Sequence, residues 1–379
     1  MERKDLIDIV KETGTPVYVY EEEIIQDNFH QLEEAFSGFK ADIHYAMKAN
    51  ENPAILEIIK NLGGGIDAVS PNEIKRALEL GFSPDRIVFT PSFPDDEEID
   101  FAVKQSVNIH VGDTYLLDYF LIKHPDFSIG LRLNPETPIE GNQKIATAHS
   151  GSKFGIPLTD LPTIFTLMKK GLKINTLHIH TGSDVKKWTD LARSADVLFE
   201  LLKDFPQVTS LDLGSGFKVK YSEDSPQIDL QEYARYIEKK IAQSGRDLNI
   251  IFEPGKFLVS NAGYFLMSVN GVKKGYEKNF AGVNSGFHHM IRPMYYDAYH
   301  EIINLSNPQG KPEKYDVVGQ LCEEDTFAYD REMPEIRKGD ILAIKNAGAY
   351  AFSMSSNYNL RDKPKEYLWK NNSLKDISL

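Results

Sequence analysis

From residue 43 onward the chain alternates short apolar runs with amphipathic segments, and this alternation restricts the possible folds more than any other feature. Eight strand-like runs occur, at 43–49, 65–70, 86–90, 107–111, 128–134, 176–181, 210–213 and 249–253. Most are followed by helical spacing: Ile55, Ile58, Ile59 and Leu62 share one face, as do Leu230, Tyr233, Ala234, Ile237 and Ile241. Ser70-Pro71-Asn72-Glu73 and Pro94-Asp95-Asp96-Glu97 mark helix starts, and Gly63 and Gly81 mark stops. Eight strand–helix units over roughly 215 residues match an α/β architecture, a (β/α)8 TIM-type barrel of about 250 residues. An open doubly wound sheet has the same periodicity, because periodicity does not report closure.

Past Gly263 the texture changes to β-rich runs at 264–272, 279–284, 301–305, 315–318 and 341–345, separated by turn clusters such as Asn307-Pro308-Gln309-Gly310. A second, mainly β domain is expected. The division is a barrel over 25–263 and a β domain formed by 1–24 and 264–379, with Pro16–Tyr20 pairing into it. The last residues, 371–379, are expected to fray.

A chain of 379 residues exceeds the size at which one core stops growing, in keeping with two domains. A net charge of -13 argues against nucleic acid and anionic membranes as partners. The first residues lack an apolar leader core, and no apolar run is long enough to span a bilayer, so a cytoplasmic location is expected. Cys322 is the sole cysteine, which excludes an internal disulfide and a multi-cysteine metal site, and no metal is expected.

In a barrel, reactive groups sit at the C-terminal ends of the strands. Those positions hold Lys48, Asp67, His178, His180, Gly182, Ser183, the run Gly214-Ser215-Gly216, and Glu253-Pro254-Gly255. A lysine leaving a buried strand end is desolvated, which lowers its pKa and suits it to form a Schiff base. Strands seven and eight are where barrels commonly hold a phosphate on exposed backbone N–H groups. Taken singly, each residue has a plainer reading: Lys48 as a solvated terminus, the glycines as a turn, Glu253 as a cap, one histidine as core filler. Their joint placement on one rim favours a site.

The residues carrying that site belong to longer motifs: Tyr45-Ala46-Met47-Lys48-Ala49-Asn50, His149-Ser150-Gly151-Ser152-Lys153-Phe154-Gly155, His178-Ile179-His180-Thr181-Gly182-Ser183, Leu213-Gly214-Ser215-Gly216-Phe217 and Glu253-Pro254-Gly255. The run from Ile291 to His300, IRPMYYDAYH, then Cys322-Glu323 and Gly348-Ala349-Tyr350, complete them. In this order the chain resembles the fold-type III, pyridoxal-phosphate-dependent amino-acid decarboxylases over essentially its whole length, closest to the branch acting on meso-diaminopimelate. The resemblance implies the alanine racemase-like fold and pyridoxal 5'-phosphate as cofactor. It implies that Lys48 holds the cofactor as a Schiff base, with Asp67 beside it. Glu253 would pair with the pyridine nitrogen, so that the ring can accept electrons. His180 would stack on the ring. Ser183, Gly214, Ser215, Gly216, Pro254, Gly255, Lys256 and Tyr350 would complete the cofactor site.

The resemblance further implies that Arg292, Tyr296, Glu323, Lys256 and Tyr350 bind the substrate and that Cys322 returns a proton to the α-carbon. Carboxylates at Glu323-Glu324-Asp325 would keep that thiol protonated. It also implies a homodimer in which Cys322 and Glu323 serve the neighbouring subunit's site. Three departures stand out: Lys256 replaces an arginine, Ser215 a glycine, and Phe287-His288-His289 smaller polar residues. The expected activity is decarboxylation of meso-2,6-diaminopimelate to L-lysine and carbon dioxide, the last step of lysine biosynthesis. The alternatives are decarboxylation of ornithine, lysine or a carboxylated polyamine, and a non-catalytic homologue. An alanine racemase would lack a reason for Cys322-Glu323.

Overall fold

The computed structural model describes residues 1–137, 148–149, 151–221 and 227–379. Ser150 of the His149–Gly155 motif therefore lies outside the described residues. The first strand, Val17–Glu21 (β1), belongs to a second sheet, and the barrel begins after it. Its strands are Ala41–Ala46 (β2), Gly65–Ala68 (β3), Ile87–Phe89 (β4), Asn108–Val111 (β5) and Ser128–Asn134 (β6). A two-residue strand, Ile156–Pro157 (β7), pairs only with β6, and Lys173–His178 (β8), Ser210–Asp212 (β9) and Asn249–Phe252 (β10) follow.

The strands run parallel in the order β5-β4-β3-β2-β10-β9-β8-β6, and β5 pairs with β6. That last pairing closes the barrel and excludes the open sheet. Helix boundaries follow local chemistry. Asn52 caps Pro53–Asn61 and Ser70 caps Pro71–Glu79, each with a proline in the first turn. Gly63 and Gly81, at φ 82° and 81°, carry the chain out again.

The barrel interior is partly polar. His44 on β2 and His110 on β5 point inward and are buried. Each uses the space left by a glycine next door: a Cβ on Gly65 would lie 2.6 Å from the His44 ring and one on Gly130 2.2 Å from the His110 ring. Burial holds the His44 imidazole down to about 4, so it is neutral at neutral pH.

The second sheet comprises β1 with Gly263–Lys274 (β11), Asn279–Val283 (β12), Ile302–Asn304 (β13), Pro312–Val318 (β14), Thr326–Pro334 (β15), Ile341–Ile344 (β16), Lys365–Lys370 (β17) and Ser373–Asp376 (β18). β1 lies between β11, antiparallel, and β17, parallel, so Val17–Glu21 pairs into this sheet as the sequence indicated. The expected fraying of 371–379 is overturned. Asn371 and Asn372, at φ 50° and 56°, form a two-residue turn that pairs β18 antiparallel with β17, and Asn52 reaches the Ile377 carbonyl at 2.9 Å. The polar start also holds a helix, Arg3–Thr13, whose Leu6 and Ile9 pack on the sheet. One apolar core runs from the barrel helices through Tyr18, Phe265 and Met267 into the β domain.

Candidate active site

Barrel strand β2 ends at Ala46, two residues earlier than the strand end expected to carry Lys48. Met47–Ala49 instead forms one turn of 3-10 helix, closed by the Asn50 N–H donating to the Met47 carbonyl at 3.0 Å. The turn swings Lys48 across the barrel mouth, where its Nζ lies 2.7 Å from Asp67 Oδ2 at the end of β3. Asp67 is buried, while the Lys48 side chain keeps 42% of its surface exposed. The expected lowering of the Lys48 pKa does not occur. Burial works in that direction, but the Asp67 carboxylate, with Glu253 behind it, outweighs it and raises the amine above its ordinary value.

Two adjoining cavities share Lys48, His180 and Glu253. One is lined also by Ser183, Ser215, Gly216, Gly255, Lys256 and Tyr350; the other by Asp67, Thr90 and Arg132. Gly214 and Pro254 close the strand ends beneath them: the Glu253 N–H donates to the Gly214 carbonyl at 2.7 Å and the Ala46 N–H to the Pro254 carbonyl at 3.1 Å. Gly214 and Gly216 have φ of 58° and 121°, and a Cβ on Gly216 would sit 2.4 Å from the Gly182 carbonyl oxygen. Ser215 is not among the residues of positive φ, so a serine is unstrained there. Its N–H donates to His180 Nδ1 at 3.4 Å, and burial holds the imidazole of His180 well below its usual range, hence neutral.

Tyr350 has left-handed backbone, φ 54°, and is pinned by its N–H donating to the Ala49 carbonyl at 2.7 Å. Its ring lies 5.9 Å from the Arg292 guanidinium, which also faces the Tyr296 ring at 5.8 Å. Arg292 is buried and donates to Tyr221 Oη at 3.3 Å. Lys256, also buried, is ion-paired with Asp184.

Cys322 and Glu323 are not brought to this mouth. Cys322 is exposed, Glu323 accepts from Tyr358 Oη at 2.7 Å, and neither lines a cavity at Lys48. Phe287-His288-His289 serves packing: Tyr18 Oη donates to the His289 carbonyl at 2.8 Å and the Ser356 N–H to that of His288 at 2.7 Å.

Sequence reasoning missed Arg132, Thr90, Asp184, His110 and Asp212. Arg132 had a signal, a charge inside the otherwise apolar run SIGLRLN, and so had Asp212 inside LDLG. What the sequence lacked was the strand register that turns both inward.

Residues 22–260 match the family model described as the pyridoxal-dependent decarboxylase, pyridoxal binding domain. A diaminopimelate decarboxylase of Methanothermobacter thermautotrophicus is 37% identical over 96% of this chain and 89% of its own length. The chain belongs to the pyridoxal-dependent decarboxylases. Among these decarboxylases, a Campylobacter jejuni diaminopimelate decarboxylase is 34% identical, covering 95% of this chain and 92% of its own. A crystal structure of the Helicobacter pylori diaminopimelate decarboxylase, complexed with L-lysine, superimposes with a TM-score of 0.91 at 32% identity, over 98% of this chain and 96% of that one. The barrel and β domain of this decarboxylase are thus the alanine racemase-like fold. No helix among the described residues is long and apolar enough to cross a membrane.

Proposed function

We propose that this decarboxylase converts meso-2,6-diaminopimelate to L-lysine and carbon dioxide with pyridoxal 5'-phosphate. The observation that carries the reading is the convergence of Lys48, His180 and Glu253 on one mouth, beside a loop of small residues, in a chain similar to diaminopimelate decarboxylases over nearly its full length. The residues fit the cofactor. Glu253 Oε1 is buried without a hydrogen-bond partner, as an acceptor awaiting a pyridinium N–H would be. Gly216 and Gly255 line the cavity with Ser183 and Ser215, so backbone and small side chains face the space a phosphate would take. When bound, the cofactor supplies the electron sink for decarboxylation.

In this reading Lys48 carries the cofactor, and Asp67 holds the amine in place until it reacts. His180, neutral, offers a flat face to the ring without adding charge. Ser183, Ser215, Gly216, Gly255 and Tyr350 hold the phosphate. Arg292 and Tyr296 take the distal head of the substrate, with Lys256 sharing its charge between Asp184 and the ligand. Cys322 and Glu323 reach the site from the partner of a homodimer, which accords with neither lining a cavity at Lys48 within one chain. The test is to incubate the holoenzyme with a panel of amino acids and identify the amine formed. Lysine from meso-diaminopimelate, with no comparable product from ornithine or lysine, is expected; cadaverine or putrescine as the main product would overturn the substrate assignment.

A further inference from the structure

Inside the barrel lies a cluster of which the roles above use only Glu253. His110 on β5, His178 at the end of β8, Asp212 at the end of β9 and Glu253 are all buried, and a ligand-type atom from each lies within 4.8 Å of the others. His178 Nε2 is 3.3 Å from Glu253 Oε2 and His110 Nδ1 is 3.6 Å from Asp212 Oδ2, but neither contact has hydrogen-bond geometry. Asp212 Oδ1 accepts from the Gly214 N–H at 2.8 Å. That leaves Asp212 Oδ2 and Glu253 Oε1 as buried oxygens with no donor. Unpaired buried acceptors are costly, and two adjoining carboxylates in such a site cannot both stay ionised.

We propose that Asp212 is a positioning residue: as a neutral carboxyl it donates its proton to Glu253, and through Oδ1 it anchors Gly214. One proton then bridges the two carboxyl groups, and the Glu253 carboxylate keeps a further lone pair for the ring nitrogen. It also joins, through one side chain, the acceptor for the cofactor ring and the first glycine of the phosphate loop.

Burial and the neighbouring Glu253 charge push the Asp212 carboxyl well above the usual carboxylate range. The other groups facing the cluster do not supply a competing proton. Burial holds His110 and His178 well below their usual range and His44 down to about 4. Lys48 is committed to Asp67, and the charge of Arg132 acts on the cluster without a proton to exchange. The imidazoles are therefore neutral packing for a carboxylic acid pair.

The inference rests on the cofactor reading above, and its test separates the two. Asp212→Asn keeps both contacts, since the amide oxygen accepts from Gly214 and the NH2 donates to Glu253. Asp212→Ala keeps neither. In cofactor-free protein near neutral pH, the wild-type minus Asp212→Asn infrared difference spectrum should show the carbonyl stretch of a protonated carboxylic acid, shifting in D2O. Pyridoxal phosphate affinity should stay within about threefold in Asp212→Asn and fall about tenfold or more in Asp212→Ala, as expected for an orphaned buried acceptor. A lost carboxylate band instead of an acid band overturns the proposal, as does an Asn variant binding as weakly as Ala. So does stoichiometric metal held by the cluster in the cofactor-free protein. Should Asp212→Ala fail to fold, the infrared measurement decides alone. A wild-type protein that does not bind pyridoxal phosphate refutes the cofactor reading, whatever the infrared result.

Discussion

Lys48 Nζ and Asp67 Oδ2, from the ends of neighbouring barrel strands, lie 2.7 Å apart. The buried carboxylate keeps the amine charged despite its setting. Neutralising the carboxylate removes the main charge that offsets desolvation, so in Asp67→Asn the Lys48 pKa falls. Labelling of Lys48 in cofactor-free protein by an amine-reactive reagent, followed against pH, should reach half-maximum at lower pH in Asp67→Asn than in wild type. An unchanged or higher midpoint would show that Asp67 does not control the amine.

Glu366 is buried in the β domain, where it accepts from Tyr20 Oη at 2.7 Å and Asn52 Nδ2 at 3.0 Å. Burial, partly offset by those bonds, pushes its carboxyl up from 4.5 to about 7. The folded state thus binds more protons than the unfolded one between these values, so the stability Glu366 contributes is lost as pH rises through that window. The integrated effect is on the order of 3 kcal/mol at most. Glu366→Gln removes the titration. Its stability relative to wild type, from urea midpoints at pH 5 and pH 8, should improve at the higher pH; parallel profiles would contradict the account.

How much of this was legible in the sequence varied with the kind of signal. Lys48, His180, Glu253 and the glycine run could be placed on one rim because strand ends are marked by composition. Asp212 and His110 could not, because a lone polar residue in a short strand reveals its direction only through register and closure. The β18 hairpin has a signal in Asn371-Asn372 between β-prone runs, but a position at the end of the chain favours fraying until the pairing with β17 is seen. The raised pKa of Lys48 needed the position of Asp67, which sequence spacing does not give.

Arg292 is buried beside Tyr350 and Tyr296, and its proposed ligand is the distal carboxylate of the substrate. Truncating one partner of a buried charge pair costs several kcal/mol, so Arg292→Ala should lower kcat/KM for meso-diaminopimelate by about 100-fold or more. Arg292→Lys should recover only part, because the planar fork is lost. A kcat/KM within about threefold of wild type for Arg292→Ala would remove the residue from the site.

If Cys322 serves the partner's site, inactive Lys48→Ala and Cys322→Ala chains should complement each other. After unfolding, equal mixing and refolding, about half the dimers are mixed and each carries one intact site, so activity should return to about a quarter of wild type. A mixture as inactive as its parents, with mixed dimers shown to form, would place both residues in the same chain.

In the proposed site Lys48 is the cofactor's attachment point, and peptide mapping after borohydride reduction tests that assignment. The reduced holoenzyme should carry the cofactor's mass on the peptide containing Lys48, and Lys48→Ala should carry none. The mass on a peptide bearing any other lysine would contradict it.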